Sequence, residues 1–577
     1  MTDSQIKREP GRRTAGRVLI VGGVAGGASA AMRLRRLDDA AEIVLFDRGE
    51  HVSFANCGLP YFVGNVIPEE KNLLLATPET FRARFNIDVR LEHEVLAIDR
   101  SARTLRVRDL RTREERDEPW DALILAPGAA PVRPPLPGLD ISGVFVVRTI
   151  PDTHRIREWL DERACKRAVV VGGGFIGLEM AENLRHRGLE VTILEKLPQV
   201  MPPLDPEMAE TVAAHLRGHG VRLALGKGLA GIEAAGDQLL VRDDSGVTME
   251  TDLVILALGV KPETSLARAA GLALGSRGGI VVDERLRTSD PRILAVGDAV
   301  EVSDVVSGQE IVLPLAGPAN RQGRIAAETL AGFQTRFRGV QGTAIVGVFG
   351  LAVASTGANE KSLRRAGRTD YRVIYLHPGH HAGYYPGARP VHLKLIFDPQ
   401  GAILGAQAIG NEGVDKRIDV IATMVQLGGS VFDMAEAELC YAPQFGSAKD
   451  PINVAGMMAA NVLRGDMPLA DWNRVLDPAH LLLDVREPHE YLAGHVEGAV
   501  NYPLSTLRDR LDTLPRDRPV WTYCAVGQRG YFAQRLLLQH GYDARNLSGG
   551  FATFKALFAA GLIAPPASTS TVDVQRR

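Results

Sequence analysis

Cysteine is scarce and scattered: four in 577 residues, at positions 57, 165, 440 and 524. No two stand in a Cys-x-x-x-x-Cys spacing, so no thiol has a sequence neighbour with which to close an internal redox disulfide. The spacings fit neither a disulfide framework nor a zinc pattern, which favours a reducing compartment. An excess of one charge is also missing. With 67 Lys+Arg against 69 Asp+Glu, the net charge is -2, and no global electrostatic case exists for binding nucleic acid or membrane. No apolar run is long enough to span a bilayer, and the start of the chain lacks a signal-peptide core. The expectation is a soluble, cytoplasmic protein. What is plentiful is glycine, 60 residues, which suits nucleotide-binding turns. The 45% hydrophobic content suffices for several domain cores.

The run Ser53-Phe-Ala-Asn56-Cys57-Gly-Leu-Pro-Tyr61 holds the most informative cysteine. A lone Cys is usually an inert, buried hydrophobe. If Cys57 does redox chemistry, its oxidised form must be a mixed disulfide, a persulfide or a sulfenic acid, so the substrate is a small sulfur compound or a peroxide.

The surrounding motifs favour the redox reading. The apolar strand Arg17–Val21 runs into Gly22-Gly-Val24-Ala-Gly26-Gly27, then a helix to Leu37, and a strand Glu42–Phe46 ending at Asp47. Such glycines let a pyrophosphate approach a helix N-terminus, and the strand-end carboxylate would bond a ribose. Val24 replaces the middle glycine of G-x-G-x-x-G. The pattern recurs in full after strand 168–171, as Gly172-Gly-Gly174-Phe175-Ile176-Gly177, a helix, and a strand 191–194 ending at Glu195. Glu195 would repel a 2′-phosphate, favouring NADH, although the adjacent Lys196 keeps NADPH possible. Two matching apolar strands end at Gly128 and Gly259, and Asp290–Asp298 places Asp298 just past another strand end. The alternative for Asp298 is a helix N-cap.

These stretches, with Leu315–Arg324 and Glu438–Pro451, resemble the coenzyme A-disulfide reductases, single-cysteine members of the FAD/NAD disulfide reductase family. Beyond residue 471, Leu481-Leu-Leu-Asp484-Val-Arg486-Glu-Pro-His-Glu-Tyr491, Gly494–Leu504 and Cys524-Ala-Val-Gly-Gln-Arg529 resemble a rhodanese domain. Together they match the rhodanese-fused subgroup, which includes NADH-dependent persulfide reductases. The resemblance implies an α/β fold of two Rossmann-like domains, an α+β dimerisation domain and an α/β rhodanese domain. It divides the chain into an arm (1–16), a discontinuous FAD-binding domain (17–150 and 278–335), an NAD-binding domain (151–277), a dimerisation domain (336–465), a rhodanese domain (472–562) and a tail (563–577). It implies FAD, NADH and coenzyme A, with FAD or NADH contacts that include Val24, Arg48, Gly128, Asp298, Pro314, Ala316, Phe175, Ile176 and Gly259. Cys57 would sit beside the flavin, with Ser53 and Asn56 near its sulfur. Arg36, and Lys71, would hold coenzyme A phosphates, the alternative for Arg36 being a solvated helix face. Tyr441 and one of Tyr384 and Tyr385 would reach the sulfur from the partner subunit of a homodimer.

In the rhodanese-like loop, Cys524 meets converging N–H groups and a helix N-terminus, which stabilise an anionic persulfide. Arg529 either binds an anionic donor or braces the loop, and Asp484 and Arg486 would fix the loop from beneath. The expected activity is NAD(P)H-driven reduction of coenzyme A persulfide, coenzyme A disulfide or polysulfide through Cys57, with sulfane sulfur handled at Cys524. The alternatives are an NADH oxidase or peroxidase working through a sulfenic acid, and a sulfurtransferase with a redox-sensing flavoprotein part.

Overall fold

The computed structural model describes residues 16–563. The expected arm and tail lie outside the described residues, apart from one residue each. Cα packing separates two compact units, one comprising residues up to Pro198 with Gly220–Val340, the other Gln199–His219 with residues from Gln341 onward. The segment Gln199–His219, expected inside the NAD-binding stretch, thus packs with the second unit.

The first unit contains two five-stranded parallel sheets of the same design. In the first, Arg17–Val21 lies at the centre, flanked by Glu42–Phe46 and Ala122–Leu125, with Asp88–Arg90 and Ile293–Ala295 outermost. In the second, Arg167–Val171 is central, flanked by Glu190–Glu195 and Leu253–Leu256, with Val221–Leu225 and Val144–Phe145 at the edges. Both central strands are continuous apolar runs because parallel sheets are covered on both faces; Val18, Leu19, Ile20, Val170 and Val171 are buried. Ile293 pairs with Leu123, so the chain completes its first sheet only after building the second. This is the interleaving that two nested nucleotide folds require.

The second unit holds an antiparallel sheet in the order Ala344–Val348, Leu351–Gly357, Ile403–Gly410, Val391–Phe397 and Arg372–Leu376, backed by helices Val414–Leu427 and Pro451–Leu463. Its other sheet is parallel, in the order Val500–Asn501, Leu481–Asp484, Val520–Tyr523 and Ala544–Asn546. The two are clasped through Ser548. The Tyr375 N–H donates to Ser548 Oγ at 2.8 Å, and that hydroxyl donates to the Tyr375 carbonyl at 3.0 Å. Trp472 Nε1 donates to the Ser548 carbonyl at 3.1 Å. The fold class expected from the motifs is the one observed. No helix among the described residues is long and apolar enough to cross a membrane.

Candidate functional site

Both glycine turns of the first unit are shaped by steric necessity. Gly22 has φ +95°, and a Cβ there would lie 2.0 Å from the Ala126 carbonyl; Gly172 has φ +112°, with a Cβ 2.2 Å from the Ala257 carbonyl. Side chains cannot be tolerated at either, so sequence and turn are tied. A Cβ on Gly174 would meet nothing within 4 Å, leaving that turn open to a ligand. The helices that follow, Ala25–Leu37 after Val24 and Phe175–His186 after Gly174, have no side-chain cap, and neither does Ala316–Leu330 after Leu315. Their first N–H groups are available to an anion. Val24 is the N-cap residue itself, and its side chain packs against the cluster of Phe54, Leu59, Phe62, Leu73 and Ile150. Gly26 and Gly27 allow close packing: a Cβ on Gly27 would lie 1.9 Å from the Gly22 carbonyl, and one on Gly26 2.9 Å from Val296.

The two strand-end carboxylates are held alike. Asp47 accepts from the N–H groups of Gly23 and Gly49, both at 2.8 Å. Glu195 accepts from Gly173 at 2.6 Å and Leu197 at 2.7 Å. Burial pushes the Asp47 pKa up, against the lowering effect of these N–H groups. Arg48 points outward, 3.8 Å from Glu263. Gly128 and Gly259 both adopt positive φ, at the ends of a short antiparallel pair, Ala129–Pro131 with Val260–Pro262. Asp298 lies within a 3-10 turn, Gly297–Ala299, and the chain continues as strand Val300–Ser303, so no helix follows for it to cap. Its carboxyl is pushed up by burial, opposed by Arg148. Phe175 and Ile176 open the second cradle's helix, and Pro314 and Ala316 flank the start of helix Ala316–Leu330.

Ser53 sits at φ 49°, an uncommon conformation for a residue with a Cβ, and its N–H donates to the Gly23 carbonyl at 2.8 Å. That bond fixes the Cys57 segment to the first glycine turn. The next element, Asn56–Gly58, is a 3-10 turn leading into helix Leu59–Val63. Cys57 is a free, exposed thiol. Its pKa is raised by burial of its surroundings, then by the carboxylates of Glu179 and Asp298. Beside it, Asn56 Oδ1 is buried without a hydrogen-bond partner, as fits a side chain that completes its bonding to a bound group.

Glu179 and Tyr61 were not identified from sequence. Helix Leu59–Val63 packs on helix Phe175–His186, and there Tyr61 donates to Glu179 Oε1 at 3.3 Å. Burial first, then Glu182, lifts the Glu179 pKa to about 7 against the Tyr61 bond, and Tyr61 is pushed up to about 12. An acidic residue in the apolar run Phe175-Ile-Gly-Leu-Glu179-Met was the available signal.

The Arg35–Arg36 pair divides its work. Arg35 is buried and donates to five carbonyls, those of Asp38, Asp39, Ala41, Phe85 and Asn86. Arg36 is exposed. Lys71 is exposed and paired with Glu69.

In the second unit, Tyr384 and Tyr441 share a hydrogen bond between hydroxyls, 2.8 Å, while Tyr385 sets its ring edge-on to His381. That bond to Tyr441 raises the Tyr384 pKa. The loops carrying them are tied by a buried ion pair: Arg417 donates to Asp450 at 2.7 and 3.2 Å and to the His380 carbonyl at 2.8 Å. A second buried cluster sets Lys394 Nζ against Asp205 at 2.8 Å, Glu207 at 2.5 Å and Glu360 at 2.6 Å.

Cys524 follows strand Val520–Tyr523 and is buried, its sulfur accepting from the Gly527 N–H at 3.2 Å. Gly527, at φ 97°, turns the loop into helix Gln528–Gln539. The Phe551 N–H donates to the Cys524 carbonyl at 2.7 Å, and the Arg486 guanidinium lies 4.4 Å from the Phe551 ring centre. Arg486 is bonded to Asp484 at 2.6 to 3.0 Å and to the Gly494 carbonyl at 2.7 Å. Arg529 is engaged by Glu490 through two bonds, 2.6 and 2.7 Å.

Comparison with known proteins agrees with this geometry. Residues 16–323 match the family described as pyridine nucleotide-disulphide oxidoreductase, residues 343–450 its dimerisation domain, and residues 471–557 a rhodanese-like domain. The chain is 35% identical over 448 residues to the coenzyme A disulfide reductase of Staphylococcus haemolyticus, covering 77% of this chain and 100% of that one. The reduced CoADR-RHD of Bacillus anthracis superposes with a TM-score of 0.93 at 46% identity, over 95% of this chain and 99% of that one. The NAD-dependent persulfide reductase from A. fulgidus gives 0.87 at 37% identity, over 93% and 99%. Two uncapped glycine cradles with strand-end carboxylates, and an orphaned Asn56 oxygen beside a free thiol, fit the FAD and NADH that such enzymes use. The chain belongs to the pyridine nucleotide-disulphide oxidoreductase family, as an enzyme with a rhodanese-like domain fused behind the dimerisation domain.

Proposed function

We propose that this enzyme reduces the persulfide of coenzyme A, with coenzyme A disulfide as a slower substrate, at the expense of NADH. The observation that carries the reading is the free, exposed Cys57 between two nucleotide cradles, in a chain that also presents Cys524 on a sulfur-carrier loop. The Cys57 thiolate attacks the inner sulfur of the persulfide, forming Cys57–S–S–CoA and releasing hydrosulfide. Two electrons and one proton then cleave that bond, restoring the thiolate and freeing coenzyme A. Bound FAD supplies the conversion of hydride equivalents from NADH into electrons for sulfur.

The chain's own residues hold and orient. Gly22, Gly26, Gly27, Asp47 and Asp298, with Arg48, Gly128, Pro314 and Ala316 around them, form the FAD site. Gly172, Gly174, Phe175, Ile176, Gly177, Glu195 and Gly259 form the NADH site. Ser53 and Asn56 position the thiol. Arg36 and Lys71 meet the coenzyme A phosphates, a role that the free exposure of Arg36 supports. In a homodimer, Tyr384 with Tyr441 stabilises the leaving thiolate from the partner subunit; the shared hydroxyl bond favours Tyr384 over Tyr385. Glu179, near neutrality in its pKa, holds a proton within electrostatic range of Cys57.

The test is anaerobic NADH oxidation with coenzyme A persulfide, coenzyme A disulfide and hydrogen peroxide. The persulfide should give the highest kcat/KM. Cys57→Ser should retain FAD yet lose persulfide turnover; undiminished turnover, or a preference for peroxide, refutes the scheme.

A further inference from the structure

Strand Arg372–Leu376 pairs with Val391–Phe397, Leu376 opposite Leu393 and Tyr375 opposite Lys394. One step further along, the same register sets His377 opposite His392. Side chains alternate across a sheet, so the two histidines share a face with Tyr375 and Lys394. Both are half-buried. Their rings meet edge to face, 4.8 Å between centres, with Nδ1 to Nδ1 at 2.7 Å. Only one proton fits between those nitrogens: one ring donates and the other accepts through a bare Nδ1. An imidazolium carries N–H at both positions, so two imidazolium rings cannot keep this contact.

The other nitrogen of His377, Nε2, lies 3.0 Å from Thr553 Oγ1, at the start of helix Gly550–Ala559. The pair thus joins the rhodanese-like domain to the antiparallel sheet. The same helix start holds the Cys524 loop: the N–H groups of Phe551 and Ala552 donate to the carbonyls of Cys524 and Ala525 at 2.7 and 3.0 Å. Charges around the pair do not favour an added proton. On the sheet, Lys394 shares the face, and Asp205, Glu207 and Glu360 are drawn onto its ammonium. The Tyr375 hydroxyl donates to Glu207 at 3.0 Å. Burial first, then His392, holds the His377 pKa at about 3, against a Gly549 backbone bond. Burial, then Lys555 on the helix, lowers that of His392.

We propose that His377 and His392 form an acid-released latch: protonation of both rings breaks their contact and frees helix Gly550–Ala559 from the sheet, loosening the Cys524 loop that the helix holds. Once open and hydrated, each ring titrates near the ordinary value of about 6.5. The closed state therefore binds fewer protons than the open one below that pH. The latch is at full strength above about pH 6.5 and weakens as pH falls below it. Between pH 7.5 and 5 one ring raises the opening constant about 30-fold, and both together up to about 900-fold.

The test is backbone hydrogen exchange of the full-length, FAD-loaded protein between pH 7.5 and 5, corrected for the intrinsic exchange rate at each pH. Protection of strand Arg372–Leu376 and helix Gly550–Ala559 should fall at least about 30-fold over that range, while the core strand Arg167–Val171 keeps its protection. In His392→Asn an amide still meets His377 Nδ1 but takes up no proton. There, and in the double variant His377→Gln/His392→Asn, the fall should be at least about fivefold smaller, at whatever protection the variant starts from. A variant already open at pH 7.5 thus shows low protection with a flat profile. A smaller fall in the wild type, a fall shared by Arg167–Val171, or a fall of wild-type size in either variant overturns the latch.

Discussion

Glu179→Gln isolates the cost of a half-buried charge beside the redox thiol. In the folded chain the Glu179 carboxyl titrates at about 7 rather than at the ordinary 4.5, because burial and Glu182 outweigh the Tyr61 hydrogen bond. The difference corresponds to about 3 kcal/mol at 1.36 kcal/mol per pH unit, and partial solvent screening brings it to about 1–3 kcal/mol. The folded pKa is raised, so between pH 4.5 and about 7 the folded state holds more protons than the unfolded one. Stability therefore falls as pH rises through that window, and the whole cost is present above it. Glutamine keeps an acceptor for Tyr61 but carries no charge. Urea unfolding of the FAD-loaded protein, followed by the fluorescence of released flavin, should give nearly the same stability for both proteins near pH 4.5. At pH 8 Glu179→Gln should be more stable by about 1–3 kcal/mol. A difference that stays constant with pH, or widens toward acid, would refute the assignment of the shift to Glu179.

Other perturbations have equally defined outcomes. Lys394→Met leaves Asp205, Glu207 and Glu360 with ligand oxygens all within 4.8 Å of one another and without the ammonium that joins the three, Glu360 keeping only its outer pair with Arg364. It should cost about 3–5 kcal/mol in chemical denaturation, and millimolar calcium should restore part of that by occupying the vacated position. Arg417→Met strands the buried Asp450 carboxylate and should cost a similar ~3–5 kcal/mol, with loss of the raised Tyr384 titration in ultraviolet spectra. Adding Asp450→Asn should recover stability, since the pair rather than either residue is what is satisfied. Glu195→Ser removes the carboxylate proposed to meet the adenosine ribose of NADH and should raise the NADPH-to-NADH ratio of kcat/KM at least about tenfold; an unchanged ratio would show that Glu195 only holds its turn.

What could be read from sequence was local. Gly22, Gly27, Gly172 and Gly177 are legible because a turn too tight for a Cβ admits one residue type, whatever lies elsewhere in the chain. Asp47 and Glu195 are legible by their place at strand ends. The Tyr61–Glu179 pair spans 118 residues, and Arg529–Glu490 spans 39, and nothing in either segment names its partner. Hence Arg529 could be assigned two roles from its loop alone, and the facing carboxylate of Glu490 is information that only the fold supplies. The tyrosines behave likewise: adjacency in Tyr384-Tyr385 gives no ranking, whereas the turn of the loop sends one hydroxyl to Tyr441 and the other ring to His381.

The Ser548 clasp bears on how such a chain can be cut or joined. Arg372–Leu376 is an edge strand, and edge strands invite pairing with other chains. Here one serine hydroxyl satisfies both main-chain groups of Tyr375, and the C-terminal domain lies over that edge. The rhodanese-like domain is thus also a shield, and a chain ended before residue 471 would bare a strand that its sequence never had to make safe. Relatives of about 450 residues, built without that domain, must guard the same edge by other means. Grafting the C-terminal domain onto one of them is a matter of matching an edge as well as of choosing a linker.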